Sequence, residues 1–158
     1  CTRPRTTALG DLKLQDWLQE WLLPLTGSCV LHTGWLATDP AAPDLHALRK
    51  RIKEVRYGVE ALRPWLGVEG EGWIDALKHV QGCLGDLHDQ EVLLQLLREL
   101  EQDRETCPPR ALRDALSLER AERWRQWQEL SRSLLQPQRR QQLVRLGSSP
   151  PQQQPQMS

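Results

Sequence analysis

Apolar residues recur at three- and four-residue intervals through most of this chain, which is the spacing of one face of an α-helix. Leu14, Trp17, Leu18, Trp21, Leu22 and Leu25 form the first stripe. It predicts a short amphipathic helix over 11–23, stopped by Pro24. Residues 26–43 lack any period and are rich in Gly, Thr, Pro and Ala. They read as a connection of a length uncommon inside a compact domain. Asp44, after Pro43, is a good N-cap residue and opens a predicted helix over 45–63, before Pro64. Residues 67–72 are the next break, and a long helix is expected over 73–103. Its stripe of Trp73, Leu77, Val80, Leu84 and Leu87 then shifts to Leu93, Leu96, Leu97 and Leu100. That shift predicts a kink, or a new packing partner, near residues 85–89. Cys107-Pro108-Pro109 closes this region. A third long helix is expected over 110–135, cut by Pro137, with a short continuation to Leu146. Residues 1–10 read as loose, residues 11–146 as one helical domain, and the Ser, Pro and Gln tail over 147–158 as disordered.

Composition agrees with that reading. Leu, Glu, Gln, Arg and Ala are abundant and β-branched residues scarce, which favours helix over strand. The expected class is all-α, an antiparallel helical bundle with long helices. The 21 basic and 21 acidic residues cancel, so any charged partner must be recognised by local segregation of charge. No apolar run approaches the roughly 20 residues of a membrane span, and no signal-peptide pattern opens the chain, so a cytoplasmic address is expected. Cys1, Cys29, Cys83 and Cys107 form no C-x-x-C pair; they read as free thiols of a reducing compartment, with no metal site. Nor do His32, His79 and His88 fall at metal-ligand spacing, and they read as ordinary polar or packing residues. No paired carboxylates, activated nucleophile or Gly-rich phosphate loop stands out. The expectation is a non-enzyme without a cofactor.

The informative stretch lies between Leu45 and Pro64. At about 100° per residue, Leu45, Leu48, Ile52, Val55, Val59 and Leu62 line one side, which must face the core. His46, Arg49, Lys50, Lys53, Arg56 and Tyr57 line the other, with Arg51 and Glu54 at the border. Six Lys or Arg stand against Glu54 and Glu60 here, a net charge of +4 in a neutral chain. The stripe is a cationic ladder roughly 16 Å long at 1.5 Å per residue. A single phosphate would use one rung, whereas a phosphate polymer could use them all through charge-assisted hydrogen bonds and counterion release. A cationic helix face is more often merely solvated. Here, however, acidic i,i+4 partners are largely missing, Glu60 being the one acid near the end of the stripe.

Leu45-His46-Ala47-Leu48-Arg49-Lys50, Lys53, Val55-Arg56-Tyr57 and Glu60 resemble a motif of the CHAD domain, the conserved-histidine α-helical domain, of approximate form L-H-x-L-R-K-x-x-K-x-L-R-Y-x-x-E. About thirty residues later Leu77-Lys78, Gln81, Leu84-Gly85, Leu87 and Asp89 resemble its pattern L-K-x-x-Q-x-x-L-G-x-L-x-D. The resemblance is close over residues 44–100, and the flanks fit as generic helices. It implies a helical domain that binds inorganic polyphosphate without catalysis. The implied contacts are His46, Arg49, Lys50, Lys53 and Arg56, with Tyr57 and Lys78 as further candidates. It also implies two similar halves facing each other across a groove, each with a histidine-bearing basic helix. Only one such helix is visible, and the chain begins with Cys1 and carries its one Met at Met157. A half-domain of the two-bundle architecture is therefore expected, with weaker binding from an open half-groove. A homodimer would restore the second side. Polyphosphate granules would be the place of association.

Two other readings compete. One is a helical interaction domain whose basic stripe docks an acidic protein partner. The other is a nucleic-acid reader with Trp residues stacking on bases; it is disfavoured because Trp17, Trp21, Trp73 and Trp127 fall on apolar stripes, where core packing is the commoner role. In the third long helix Glu119, Arg120 and Arg123 interrupt the stripe of Leu112, Leu116, Trp127, Leu130 and Leu134. An internal Glu119–Arg123 pair is the favoured use of those charges over a further anion contact.

Overall fold

A computed structural model describes residues 8–103 and 107–146. Among the described residues there are α-helices and one 3-10 turn, and no strand: α1 (Ala8–Val30), the 3-10 turn (Thr33–Leu36), α2 (Pro43–Ala61), α3 (Arg63–Gln102), α4 (Arg110–Leu134) and α5 (Pro137–Leu146). The fold is all-α, as the composition and periodicity imply.

α1 starts earlier and ends later than its stripe suggests, with Ala8–Gly10 already helical and Pro24 inside it. Proline in a helix interior removes one hydrogen bond and costs about 3 kcal/mol. Here its ring is exposed, while Leu22, Thr26 and Cys29 bury one continuous face across it. That burial carries the helix to Val30. The Trp35 indole N–H then donates to the Cys29 carbonyl at 2.7 Å, satisfying one of the carbonyls left open at the helix end. The connection over 26–43 thus shrinks to a 3-10 turn and its flanks. The His32 Nδ1 accepts from the Gly34 N–H at 2.9 Å to start that turn.

α2 opens two residues before Asp44 was expected to cap it. Ala42 is the N-cap, without a side-chain cap bond, and Pro43 takes the first helical position. Proline suits that position because the N–H it lacks would have no partner there. Asp44 instead places its charge in the first turn, favourably for the helix dipole. α2 and α3 join through Leu62 alone, and Pro64 sits in the first turn of α3. The expected break at 67–72 narrows to Gly67, whose φ of 63° and ψ of −154° interrupt α3. A side chain would be strained at that φ.

The kink expected near residues 85–89 is not there. α3 buries Trp73, Leu77, Val80, Leu84, Leu87, Gln90, Leu94 and Leu97, a stripe repeating every three to four residues without a rotation. Leu93, Leu96 and Leu100 are exposed instead. Leu94 and Leu97 continue the earlier seam, as a period near 3.5 requires.

The helices run up and down. His46 lies beside His88, Arg49 against Gly85, and Glu60 near Lys78, so α2 and α3 are antiparallel. Glu101–Arg113, Glu91–Arg120 and Asp86–Arg123 pairs likewise run α4 antiparallel to α3. Glu119 and Arg123 form the expected pair at 3.8 Å, but both Arg120 and Arg123 also tie α4 to α3. α5 folds back on α1, α3 and α4. The core lies between these helices and includes Leu22, Leu48, Ile52, Val55, Ile74, Val80 and Trp127. Trp127 stacks on Trp35 with centroids 5.6 Å apart, and Trp73 is buried too. Trp17 and Trp21 are not core residues: they stack on each other at 5.3 Å and remain 49% and 41% exposed. Trp21 lies against Gly58 of α2, where an added Cβ would come 3.0 Å from its ring, and Trp17 covers its other side. Leu112 is exposed as well. The N-terminal residues 1–7 and the tail 147–158 lie outside the described residues.

Candidate anion-binding groove

The helical period of α2 sorts its cations more finely than into one stripe. Leu45, Leu48, Ile52, Val55 and Val59 are buried. Beside them, on the flank turned to α3, Arg49, Arg56 and Glu60 form a half-buried row. His46, Lys50, Lys53 and Tyr57 form an outer, exposed row. The predicted contacts therefore share a face in two tiers, an inner one in the α2–α3 groove and an outer one above it.

Arg49 reaches across to α3 at Gly85. A Cβ built on Gly85 would lie 3.6 Å from its Nη2 and 3.7 Å from its Nε, at ordinary contact distance, so the guanidinium rests over this turn of α3. The Nε of Arg49, the Nε of Arg56 and the Oε1 of Gln81 are buried without a hydrogen-bond partner among the described residues. Such groups are costly to leave unmade. Arg56 stacks on Tyr57, 4.7 Å from the ring centroid, and Lys53 sits 5.7 Å over the same ring. These cation–π contacts hold Tyr57 beside two cations.

One acid intrudes. Glu60 lies 3.6 Å from Arg56 and 3.8 Å from Lys78, so one carboxylate serves both at the Tyr57 end of the groove. Arg49, Lys50 and Lys53 make no ion pair among the described residues, whereas Arg51, at the border, pairs with Glu54 at 2.9 Å. The unpaired cations thus lie within the middle turns of α2, and Arg49 reaches toward its N-terminal end. There the groove opens into a cleft of ≈ 670 Å³ between the 40–43 segment, the start of α2 and the far half of α3.

His88, read from sequence as an ordinary polar residue, lines that cleft. Its ring centroid is 5.6 Å from that of His46. Nothing in the period of α2 alone points to it; only the antiparallel pairing with α3 brings the two together. Gln81 and Gly85 escaped notice as groove residues for the same reason.

The geometry and the sequence motifs meet on one family. The CHAD domain model matches residues 3–98. The chain belongs to the CHAD domain family. The match takes in α1 and the connection after it, which sequence reading alone left as generic flank, and ends near the close of α3. α4 and α5 lie beyond it. CHAD domains are associated in general with polyphosphate binding. Neither the curated proteins nor the solved structures compared with this CHAD chain give a match. No helix among the described residues is long and apolar enough to cross a membrane. Among the same residues no group of three or more His, Cys, Asp or Glu could hold a metal ion.

Proposed function

We propose that this CHAD chain is a non-catalytic module that holds inorganic polyphosphate in the α2–α3 groove. His46, Arg49, Lys50, Lys53 and Arg56 are the contacts, and Tyr57 and Lys78 flank them. The observation that carries this reading is the trio Arg49, Lys50 and Lys53, on one face without an acidic partner among the described residues. Three such cations within two turns repel one another and gain from a shared polyanion. The inner tier is half-buried, so its field is less screened by salt than that of a solvated face. Arg49 contributes forked donors, Lys50 and Lys53 contribute mobile point charges, and His46 contributes a ring N–H donor.

The test is retention of long-chain polyphosphate by the purified protein at low salt. Wild type should retain it, and replacing Arg49, Lys50 and Lys53 together by Ala should release most of it. Unchanged retention by the triple variant would overturn the assignment. So would a preference for single-stranded nucleic acid over polyphosphate at equal charge and salt.

A further inference from the structure

The cationic row does not run on indefinitely. Past Arg49 it meets the paired rings of His46 and His88, their planes inclined by 31°. Beyond them the cleft is lined by the apolar Pro40, Ala42, Pro43, Val92 and Leu96, by the acids Glu91 and Glu99, and by Gln95 and Arg98, which donates to Gln95. A phosphate chain continuing along that wall would meet two carboxylates and apolar side chains against a single cation, so the chemistry of the groove favours a chain that ends at the histidines. We propose, building on the polyphosphate reading, that His46, His88 and Arg49 form a subsite for a terminal phosphoryl group, closing one end of the groove.

The donor set suits an end better than a middle. A terminal phosphoryl group offers three free oxygens and a second ionisation near pH 6; a phosphate inside the chain offers two free oxygens and no such proton. Two imidazole rings, each with an N–H to donate, and one guanidinium fork, arriving from α2 and α3, match three oxygens. The other charged groups around the pair do not cancel them. Asp89, on the same helix as His88, is 3.8 Å from its Nδ1 but 80% exposed. Glu91 is engaged by Arg120 of α4. Glu99 accepts from the Gln95 amide at 3.2 Å, and Arg98 donates to the Gln95 oxygen at 3.5 Å. The 40–43 segment carries no titratable side chain.

Calorimetric titration of the full chain with linear tripolyphosphate and with cyclic tetrametaphosphate, a ring of comparable charge without ends, tests the subsite. At pH 6.5 the linear ligand should bind about tenfold more tightly, equivalent to about 1.4 kcal/mol. His88→Gln should abolish the advantage. The His88 side chain is 48% exposed, so the variant should fold. Equal binding of chain and ring, or an advantage that survives His88→Gln, would overturn the subsite and leave the groove reading standing. Failure to retain any polyphosphate would overturn both.

Discussion

Gly85 is where the Arg49 guanidinium of α2 meets α3. Replacing it by Ala adds a Cβ 3.6–4.0 Å from the Arg49 guanidinium, an ordinary contact that displaces nothing. The change should then be felt mainly through the backbone, where Ala in a helix interior is favoured over Gly by about 0.8–1.0 kcal/mol. For a domain of this size that raises the melting temperature by about 2–4 °C, with polyphosphate affinity near wild type. Leu at the same position branches into the space that the guanidinium occupies and should turn Arg49 away from α3. A charge-assisted hydrogen bond is worth about 1.5–3 kcal/mol, so Gly85→Leu should weaken polyphosphate binding roughly tenfold to a hundredfold. Thermal unfolding and titration calorimetry on both variants read the two effects separately. Loss of stability in Gly85→Ala would mean that α2 and α3 lie closer than described. Wild-type affinity in a folded Gly85→Leu would mean that the seat of Arg49 on α3 is irrelevant to binding.

Three further outcomes follow from the same contacts. Glu60→Gln releases Arg56 and Lys78 from their shared carboxylate; low-salt titration should show polyphosphate affinity about threefold higher, and chemical denaturation a stability loss below about 1 kcal/mol, as for a partly exposed pair. Trp127→Ala removes a ring that is 1% exposed and stacked on Trp35, so denaturant unfolding should register a loss of about 3–5 kcal/mol. Burial pushes the Cys29 thiol up to about 12 and also raises that of Cys83. A thiol reagent near neutral pH should therefore label exposed Cys107 first and reach Cys29 only on unfolding, as peptide mass spectrometry would show; equal labelling rates would refute the burial of Cys29.

The helices were legible in the sequence wherever one face had to be buried. α2, α4 and α5 begin and end within two or three residues of the positions set by their prolines and periods. The errors arose where a local signal met tertiary burial. Pro24 marks a helix end by its own chemistry, yet the buried face of Leu22, Thr26 and Cys29 runs straight past it. Leu93, Leu96, Leu97 and Leu100 suggest a rotated stripe, but a seam of period near 3.5 selects Leu94 and Leu97 and leaves Leu93, Leu96 and Leu100 outside. Trp17 and Trp21 match a core pattern on α1, though the helix beside them covers only part of each ring. In the groove, the period of α2 was enough to gather His46, Arg49, Lys50, Lys53 and Arg56 on one face. It could not separate the inner tier from the outer. Nor could it identify the α3 residues that complete the groove, because contacts between residues some forty positions apart, such as His46 and His88, leave no trace in the period of either helix.

The salt dependence of binding addresses the central claim most directly, because it counts the phosphates that the protein neutralises. Each should contribute about −0.7 to the slope of log affinity against log salt for a flexible single chain. The four Lys and Arg contacts in the groove therefore predict a slope of about −2.8 for wild type, and loss of Arg49, Lys50 and Lys53 should flatten it by about 2. A wild-type slope near zero, or one that the triple variant leaves untouched, would contradict the placement of a phosphate polymer on this face of α2.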